Sequence, residues 1–408
     1  MYHVRLLKVP YIAPPPAKQQ FTKKGPGAND GSSTKKFMIA ATTTLTTELG
    51  EYYFYGTATV RASIFLKWEE SVRRRKKHKL KKDESDKDVP VASGTWEWRP
   101  GMRALKMSLS LQTRAIRENS HEGRGPKFIL RVEVVDDEHL VDENVLYEDE
   151  HGGPWKPRFL TIESMPFAII CADITQPLNA KVAFDREDAL YVVRHAEIAG
   201  DDYTFCEEIG DSMAKHLWDS GLLLGDFLSA SQDNKAVFVS QLLRDSRPLL
   251  RILELGCGCG TAGLILSRQF TASTVLLTDL ESAADVCRLN IAVNPRQTSA
   301  HGTIEFSQFD WVLEHNTPTQ LSRVTDTVWD VVVVCDCTYN TDSFDALTDV
   351  LLKTVDKKHG TRVVLVHKER HGSENRVFEM LKQKNALEVR WRQELGPSGM
   401  QARVDVLE

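Results

Sequence analysis

The chain has 408 residues, more than one hydrophobic core usually organises, so two domains are expected. Its 41% hydrophobic and 27% charged residues are ordinary for a globular protein, and a net charge of −5 gives no general reason to expect nucleic acid or membrane as the partner. Seven cysteines at 171, 206, 257, 259, 287, 335 and 337 lack framework spacing. They exclude a disulfide-built secreted scaffold and fit a reducing compartment, cytoplasmic or nuclear.

Residues 1–10 carry charges inside their only apolar stretch and do not read as a signal peptide. No stretch approaches the roughly 18 apolar residues of a membrane helix. From 1 to about 200, apolar residues tend to alternate with polar ones. Strands are predicted over 2–9, 36–47, 51–67, 102–112, 127–135 and 158–172, with a turn at 49–51. This half reads as a β-rich domain, a sandwich or strongly bent sheet, and its expected role is substrate or partner binding. Residues 13–35 and the acidic stretch 136–157 read as loops. A basic loop near 72–88 runs from Arg73 to Lys82 and then turns acidic from Asp83 to Asp88. Three readings of it stay open: a solvated insertion, a nuclear-import signal, and an arm for RNA or an acidic protein.

Over 201–408 strands alternate with helices, the pattern of a parallel sheet. Helices are predicted over 211–230, 235–245, 261–270, 282–293, 343–356 and 373–384. Strands are predicted over 250–255, 274–279, 303–307, 329–335, 361–367, 386–392 and 401–407. The last two strands are separated by a Gly396-to-Gly399 turn rather than a helix. The expected fold is therefore α/β: a Rossmann-like seven-stranded sheet whose last strand inserts antiparallel, preceded by the β-rich domain.

The chemistry concentrates at the carboxyl ends of these strands. Ile252 to Gly263 runs from strand to helix through Gly256, Gly258 and Gly260, where the backbone can approach a ligand closely. Gly258 to Gly263 also satisfies the dinucleotide pattern G-x-G-x-x-G, with Asp279 about 20 residues on. Glu254 decides between the two readings, because a carboxylate before the loop repels a pyrophosphate and suits a cation. Asp279 is placed to accept from ribose hydroxyls. Asp310 and Trp311 end the third strand, where a carboxylate and an aromatic can hold adenine. Asp336 and Tyr339 follow the fourth strand and share a crevice with the glycine loop. The cysteines at 257, 259, 335 and 337 do not form a zinc pattern, since strand alternation sends neighbouring side chains apart.

In this order the residues resemble the seven-β-strand protein-lysine methyltransferases, the group often called nicotinamide-N-methyltransferase-like. The resemblance covers about 205–408. It rests on Leu217 to Gly221, the Glu254 glycine loop, Thr278 to Leu280, Asp310 with Trp311, the Asp-x-x-Tyr at Asp336 and Tyr339, and His367 to Arg370 followed by Glu374 and Phe378. It implies S-adenosylmethionine as cofactor, S-adenosylhomocysteine as product, a protein lysine as methyl acceptor and no metal. It also implies that Trp218 packs near the methionine part, and that Glu254, Gly256, Cys257 and Gly258 line the cofactor. Asp279 would hold the ribose, Asp310 or Trp311 the adenine, and Cys335 would abut the cofactor. Asp336 and Tyr339 are then the catalytic pair, shaping the acceptor channel and positioning the amine. The expected state is a monomer. Alternatives are an RNA-base or small-molecule N-methyltransferase, or a catalytically weak scaffold of the same fold. An RNA-base enzyme would usually carry two prolines where Cys337 and Thr338 stand.

Overall fold

The computed structural model describes residues 2–13, 36–46, 54, 57–67, 90–112, 127–135, 159–170, 181–184, 191–198, 200–208, 212–242, 249–271, 273–295, 302–384, 387–395 and 402–408. The basic run after Arg73, most of the loop 13–35, the acidic loop and the turns at 49–51 and 396–399 lie outside them. The described residues divide into two compact units, one up to 194 and one from 195 onward.

The first unit is built of strands β1 (Tyr2–Ile12), β2 (Lys36–Thr46), β3 (Ala58–Lys67), β4 (Ala92–Trp98), β5 (Leu105–Gln112), β6 (Lys127–Val135), β7 (Phe159–Ser164), β8 (Phe167–Ile170) and β9 (Lys181–Phe184). Its main path runs β4-β3-β6-β7-β1-β2-β5, and β8 pairs with β6 and β9. Along β5 the side chains alternate as a half-buried strand requires: Leu105, Met107, Leu109 and Leu111 are buried, and the residues between them are exposed. The single strand expected over 158–172 is two. Pro166 lacks an N–H to donate, and the ladder breaks there. Strand β4 was not foreseen, because its Ala-Ser-Gly-Thr start carries little β signal. It pairs with β3 from Ala58↔Trp98 to Ile64↔Ala92, and the buried Trp98 indole donates to the Phe54 carbonyl at 2.9 Å.

Strand β10 (Tyr191–Ile198) pairs with β11 (Asp201–Glu208). The second unit continues with helices α1 (Asp219–Ala230) and α2 (Gln232–Leu242). Then follow β12 (Leu250–Leu255), α3 (Thr261–Gln269), β13 (Ser273–Asp279), α4 (Ala284–Val293), β14 (Thr303–Gln308) and α5 (Pro318–Thr325). Strand β15 (Val331–Cys335), α6 (Phe344–Thr354), β16 (Arg362–Lys368), α7 (Arg376–Gln383), β17 (Val389–Leu395) and β18 (Ala402–Leu407) complete it. The sheet order is β14-β13-β12-β15-β16-β18-β17. Strands β12 to β16 are parallel, and β18 inserts antiparallel between β16 and β17.

Each face of this sheet has its own core, as period-2 alternation demands. Ile252, Val331, Val333, Val364 and Val404 pack with Leu224, Phe238, Leu266 and Cys287 on one face. Leu253, Leu255, Val332, Val334 and Leu365 pack with Phe344, Leu351, Val377 and Leu381 on the other. Helix α5 was passed over in the sequence, yet its start signal is explicit. Thr317 and Gln320 form a reciprocal capping box with Pro318 in the first turn. No helix among the described residues is long and apolar enough to cross a membrane. The strand order reverses direction between the adjacent parallel strands β12 and β15, which opens a crevice at their carboxyl ends, where ligands bind in open α/β sheets.

Candidate functional site

The glycine loop fills that crevice. Gly256, Gly258 and Gly260 have φ of 70°, 51° and 76°, the left-handed region that glycine adopts without strain. Space forbids a side chain as well. A Cβ on Gly256 would lie 2.6 Å from the Cys337 sulfur and 2.8 Å from the Trp311 ring, and one on Gly258 2.9 Å from the Ala214 carbonyl. The loop is pinned from below, since Gly256 and Cys257 N–H both donate to the Thr278 carbonyl, at 2.8 and 2.9 Å.

Glu254 is buried, and its Oε2 accepts the Gly263 N–H at 2.8 Å, in the first turn of α3. Burial pushes its carboxyl up to about 8, against the lowering effect of that bond, with Asp279 adding to the rise. Asp279 Oδ2 accepts the Gly258 N–H and Oδ1 the Leu280 N–H, both at 2.7 Å. Burial raises this carboxyl too, with the two N–H donors opposing. Asp310 has local partners: Oδ1 accepts the Val312 N–H at 2.9 Å, and Oδ2 lies 2.9 Å from His315 Nδ1. Trp311 faces the loop across Gly256.

Asp336 is the only described non-glycine residue with positive φ, at 52°. This conformation costs on the order of 1–3 kcal/mol and persists where surroundings dictate it. They do so here. Its N–H donates to the Val366 carbonyl at 2.8 Å. Oδ2 accepts the Ser220 N–H at 3.0 Å, and Oδ1 meets Arg370 Nη1 at 3.2 Å. Tyr339 is 50% exposed, and its ring stacks on Trp218 with centroids 6.3 Å apart and planes 10° apart. Burial pushes its hydroxyl pKa above the usual value, with Cys337 and Asp279 adding to the rise.

These groups line one cavity of about 440 Å³, within the usual size of a small-ligand site. Trp218, Glu254, Gly256, Cys257, Gly258, Asp279, Asp310, Trp311, Cys335, Asp336 and Tyr339 all contribute. Two of these residues have further partners. The Cys257 side chain lies 3.7 Å from the Cys287 sulfur inside an apolar cluster, so this residue offers the cavity no free thiolate. Burial raises the Cys257, Cys259, Cys335 and Cys337 thiols well above their usual range. Asp336, expected to position the acceptor amine with Tyr339, lines the cavity, and each of its oxygens also has a protein donor.

Residues 198–384 match a family model described as lysine methyltransferase. The chain carries a lysine methyltransferase family domain. It is 30% identical over 181 residues to a UPF0665 family protein of Schizosaccharomyces pombe, covering 43% of this chain and 48% of the relative. It is 29% identical over 157 residues to the electron transfer flavoprotein beta subunit lysine methyltransferase of Xenopus laevis, covering 38% of this chain and 52% of the relative. The aligned part thus spans about half the length of these relatives. An O-methyltransferase family protein from Burkholderia thailandensis aligns at 13% identity and a TM-score of 0.31, covering 45% of this chain and 57% of that one. That score adds no weight to the strand order.

Within this methyltransferase domain, five carboxylates line the cavity, at Glu254, Asp279, Asp310, Asp336 and Asp342, and no lysine or arginine does so among the described residues. Such a lining fits the positive charge of S-adenosylmethionine and opposes a pyrophosphate. Three further features shape the site. Residues 213–218 form a strap over the loop, with Met213, Ala214 and His216 in the cavity wall and Leu217 N–H held by Glu207 Oε2 at 3.0 Å. Asn290 on α4 donates to the carbonyls of Cys206 and Cys259, both at 3.0 Å, and accepts the Cys206 N–H at 2.6 Å. An asparagine on the buried face of a helix was the available signal. Lys368 on β16 pairs with the buried Asp219 at 3.2 Å.

Proposed function

We propose that this chain is an S-adenosylmethionine-dependent protein-lysine N-methyltransferase. The observation that carries the reading is the cavity lined by carboxylates and aromatic rings, with no lysine or arginine in its wall among the described residues. When bound, S-adenosylmethionine supplies an electrophilic methyl group on a positively charged sulfur. Asp279, held by the Gly258 and Leu280 N–H groups, accepts from the ribose hydroxyls. Trp311 provides a flat wall for the base, and Glu254 faces the cationic end. The stacked Trp218 and Tyr339 wall the acceptor side. They hold the aliphatic stem of a lysine and aim its nitrogen. A free lysine has a pKa near 10.4, so roughly one amine in a thousand is neutral at pH 7. The site needs to orient that neutral form, and water can carry the proton away. Asp336 takes part by fixing the turn that presents Tyr339.

Calorimetric titration of the full chain with S-adenosylhomocysteine and with NAD tests the cofactor. Binding of the first and not the second is expected, and the reverse overturns the reading. Methyl-labelled cofactor added to a cell lysate tests the acceptor. The labelled band should survive nuclease and disappear with protease; the opposite pattern would favour an RNA acceptor.

A further inference from the structure

Arg370 follows β16 and has no assigned part in the reading above. Its guanidinium makes two contacts at the acceptor end of the cavity. Nη1 lies 3.2 Å from Asp336 Oδ1, and the guanidinium carbon lies 5.2 Å from the Trp218 ring centroid. Both side chains of the ion pair are largely buried, 14% exposed for Arg370 and 3% for Asp336. The arginine is itself held: Nη1 donates to the Lys368 carbonyl at 3.1 Å, and its backbone N–H donates to Glu374 Oε1 at 3.3 Å. Lys368, the neighbouring cation, is matched to Asp219.

An acceptor amine reacts only when neutral. An unmatched carboxylate near it favours the ammonium form, by about 1–3 pKa units at short range. Asp336 is fixed beside Tyr339 by its place in the turn, so its charge has to be matched from elsewhere. We propose that Arg370 is a positioning residue for methyl transfer, matching the Asp336 charge while bracing Trp218 against Tyr339, so that the amine meets an aromatic wall rather than a free carboxylate. This rests on the amine-methylating reading. It assigns Asp336 and Arg370 a joint role in keeping the acceptor neutral, distinct from holding the cofactor.

The test uses the full chain saturated with S-adenosylhomocysteine and n-butylammonium as the probe at pH 7, read by tryptophan fluorescence. Arg370→Gln should bind the probe roughly tenfold more tightly than wild type, because the freed carboxylate attracts it. Arg370→Lys, which restores the charge, should return near the wild-type value. Arg370→Gln combined with Asp336→Asn should lose the gain. S-adenosylhomocysteine affinity, measured separately by calorimetry, should be unchanged in Arg370→Gln and Arg370→Lys. Absence of that binding in wild type refutes the cofactor reading. Intact cofactor binding without tighter probe binding in Arg370→Gln overturns the present proposal alone, as does a gain that persists in the double variant. Arg370→Met provides the same test if the glutamine variant does not melt cooperatively. Failure of both to fold, with Arg370→Lys folding normally, would make the residue structural and also overturn the proposal.

Discussion

Glu254 Oε2 accepts the N–H of Gly263 at 2.8 Å, joining the end of β12 to the first turn of α3 beneath the glycine loop. Burial raises this carboxyl to about 8, so at pH 7 it is mostly protonated in the free protein. A cation arriving in the cavity favours the ionised form. Cofactor binding at pH 7 should therefore release a proton, and affinity should rise with pH until the carboxyl is ionised near 8. Calorimetry in buffers of different ionisation enthalpy measures that proton. Glu254→Gln should abolish the release, and release of the same size in that variant would assign it to another group. The linkage also bears on folding. A raised carboxyl contributes stability that is complete below its unfolded pKa and is lost as pH rises through about 8, so the unliganded protein should be more stable at pH 5.5 than at 8.5 as far as Glu254 governs.

The same contact makes Gly263 irreplaceable. A Cβ there would lie 2.2 Å from a Leu277 methyl and 2.4 Å from Glu254 Oε2. Gly263→Ala should cost about 1–3 kcal/mol by overpacking and should weaken S-adenosylhomocysteine binding by displacing the carboxylate. Gly372→Ala, where nothing lies within 4 Å of the added carbon, is the control and should melt as wild type. Equal melting temperatures for both variants would refute the packing argument.

How far these relations were legible depends on their range along the chain. The parallel sheet was readable because Val331 to Val334 is apolar on both faces, and the last antiparallel strand because no helix separates the final two strands. The glycine loop and Asp279 stood out because each ends a strand whose own pattern is strong, whereas the strand ahead of Trp311 is only partly buried and its pattern is weaker. The state of Asp336 was not legible. Its carboxylate is set by Ser220, 116 residues away, and by Arg370, 34 residues away, and no local spacing encodes either contact. The interruption at Pro166 was legible in principle, since proline cannot serve the ladder, but the surrounding apolar run masked it.

Tyr339 separates function from stability. Its ring is half exposed, so Tyr339→Ala should change unfolding free energy by no more than about 0.5 kcal/mol. Loss of the stack on Trp218 removes one wall of the acceptor side, and methyl transfer to the labelled acceptor should fall by roughly 10²-fold. Tyr339→Phe keeps the ring and should retain activity within about threefold, if stacking rather than the hydroxyl is what matters. Loss in Tyr339→Phe as deep as in Tyr339→Ala would instead give the hydroxyl a direct part.

Asn290 makes the opposite case, a residue outside the cavity wall on which the cavity depends. It is fully buried and satisfies three backbone groups, the N–H and carbonyl of Cys206 and the carbonyl of Cys259 in the glycine loop. Asn290→Ala leaves all three without their partner, at about 1–3 kcal/mol each, so a loss of at least about 3 kcal/mol is expected. For a unit of this size that is a fall in melting temperature of about 6–12 °C. Asn290→Asp should be worse than alanine at neutral pH, because it sets a carboxylate against two carbonyl oxygens in a buried site. The ordering is checked by thermal melts at pH 5 and pH 8. The aspartate variant should recover part of its loss at the lower pH, where the protonated acid can donate to one of those carbonyls. An aspartate variant as stable as wild type at pH 8 would show that Asn290 does not donate as placed, and would unfasten the glycine loop from β11.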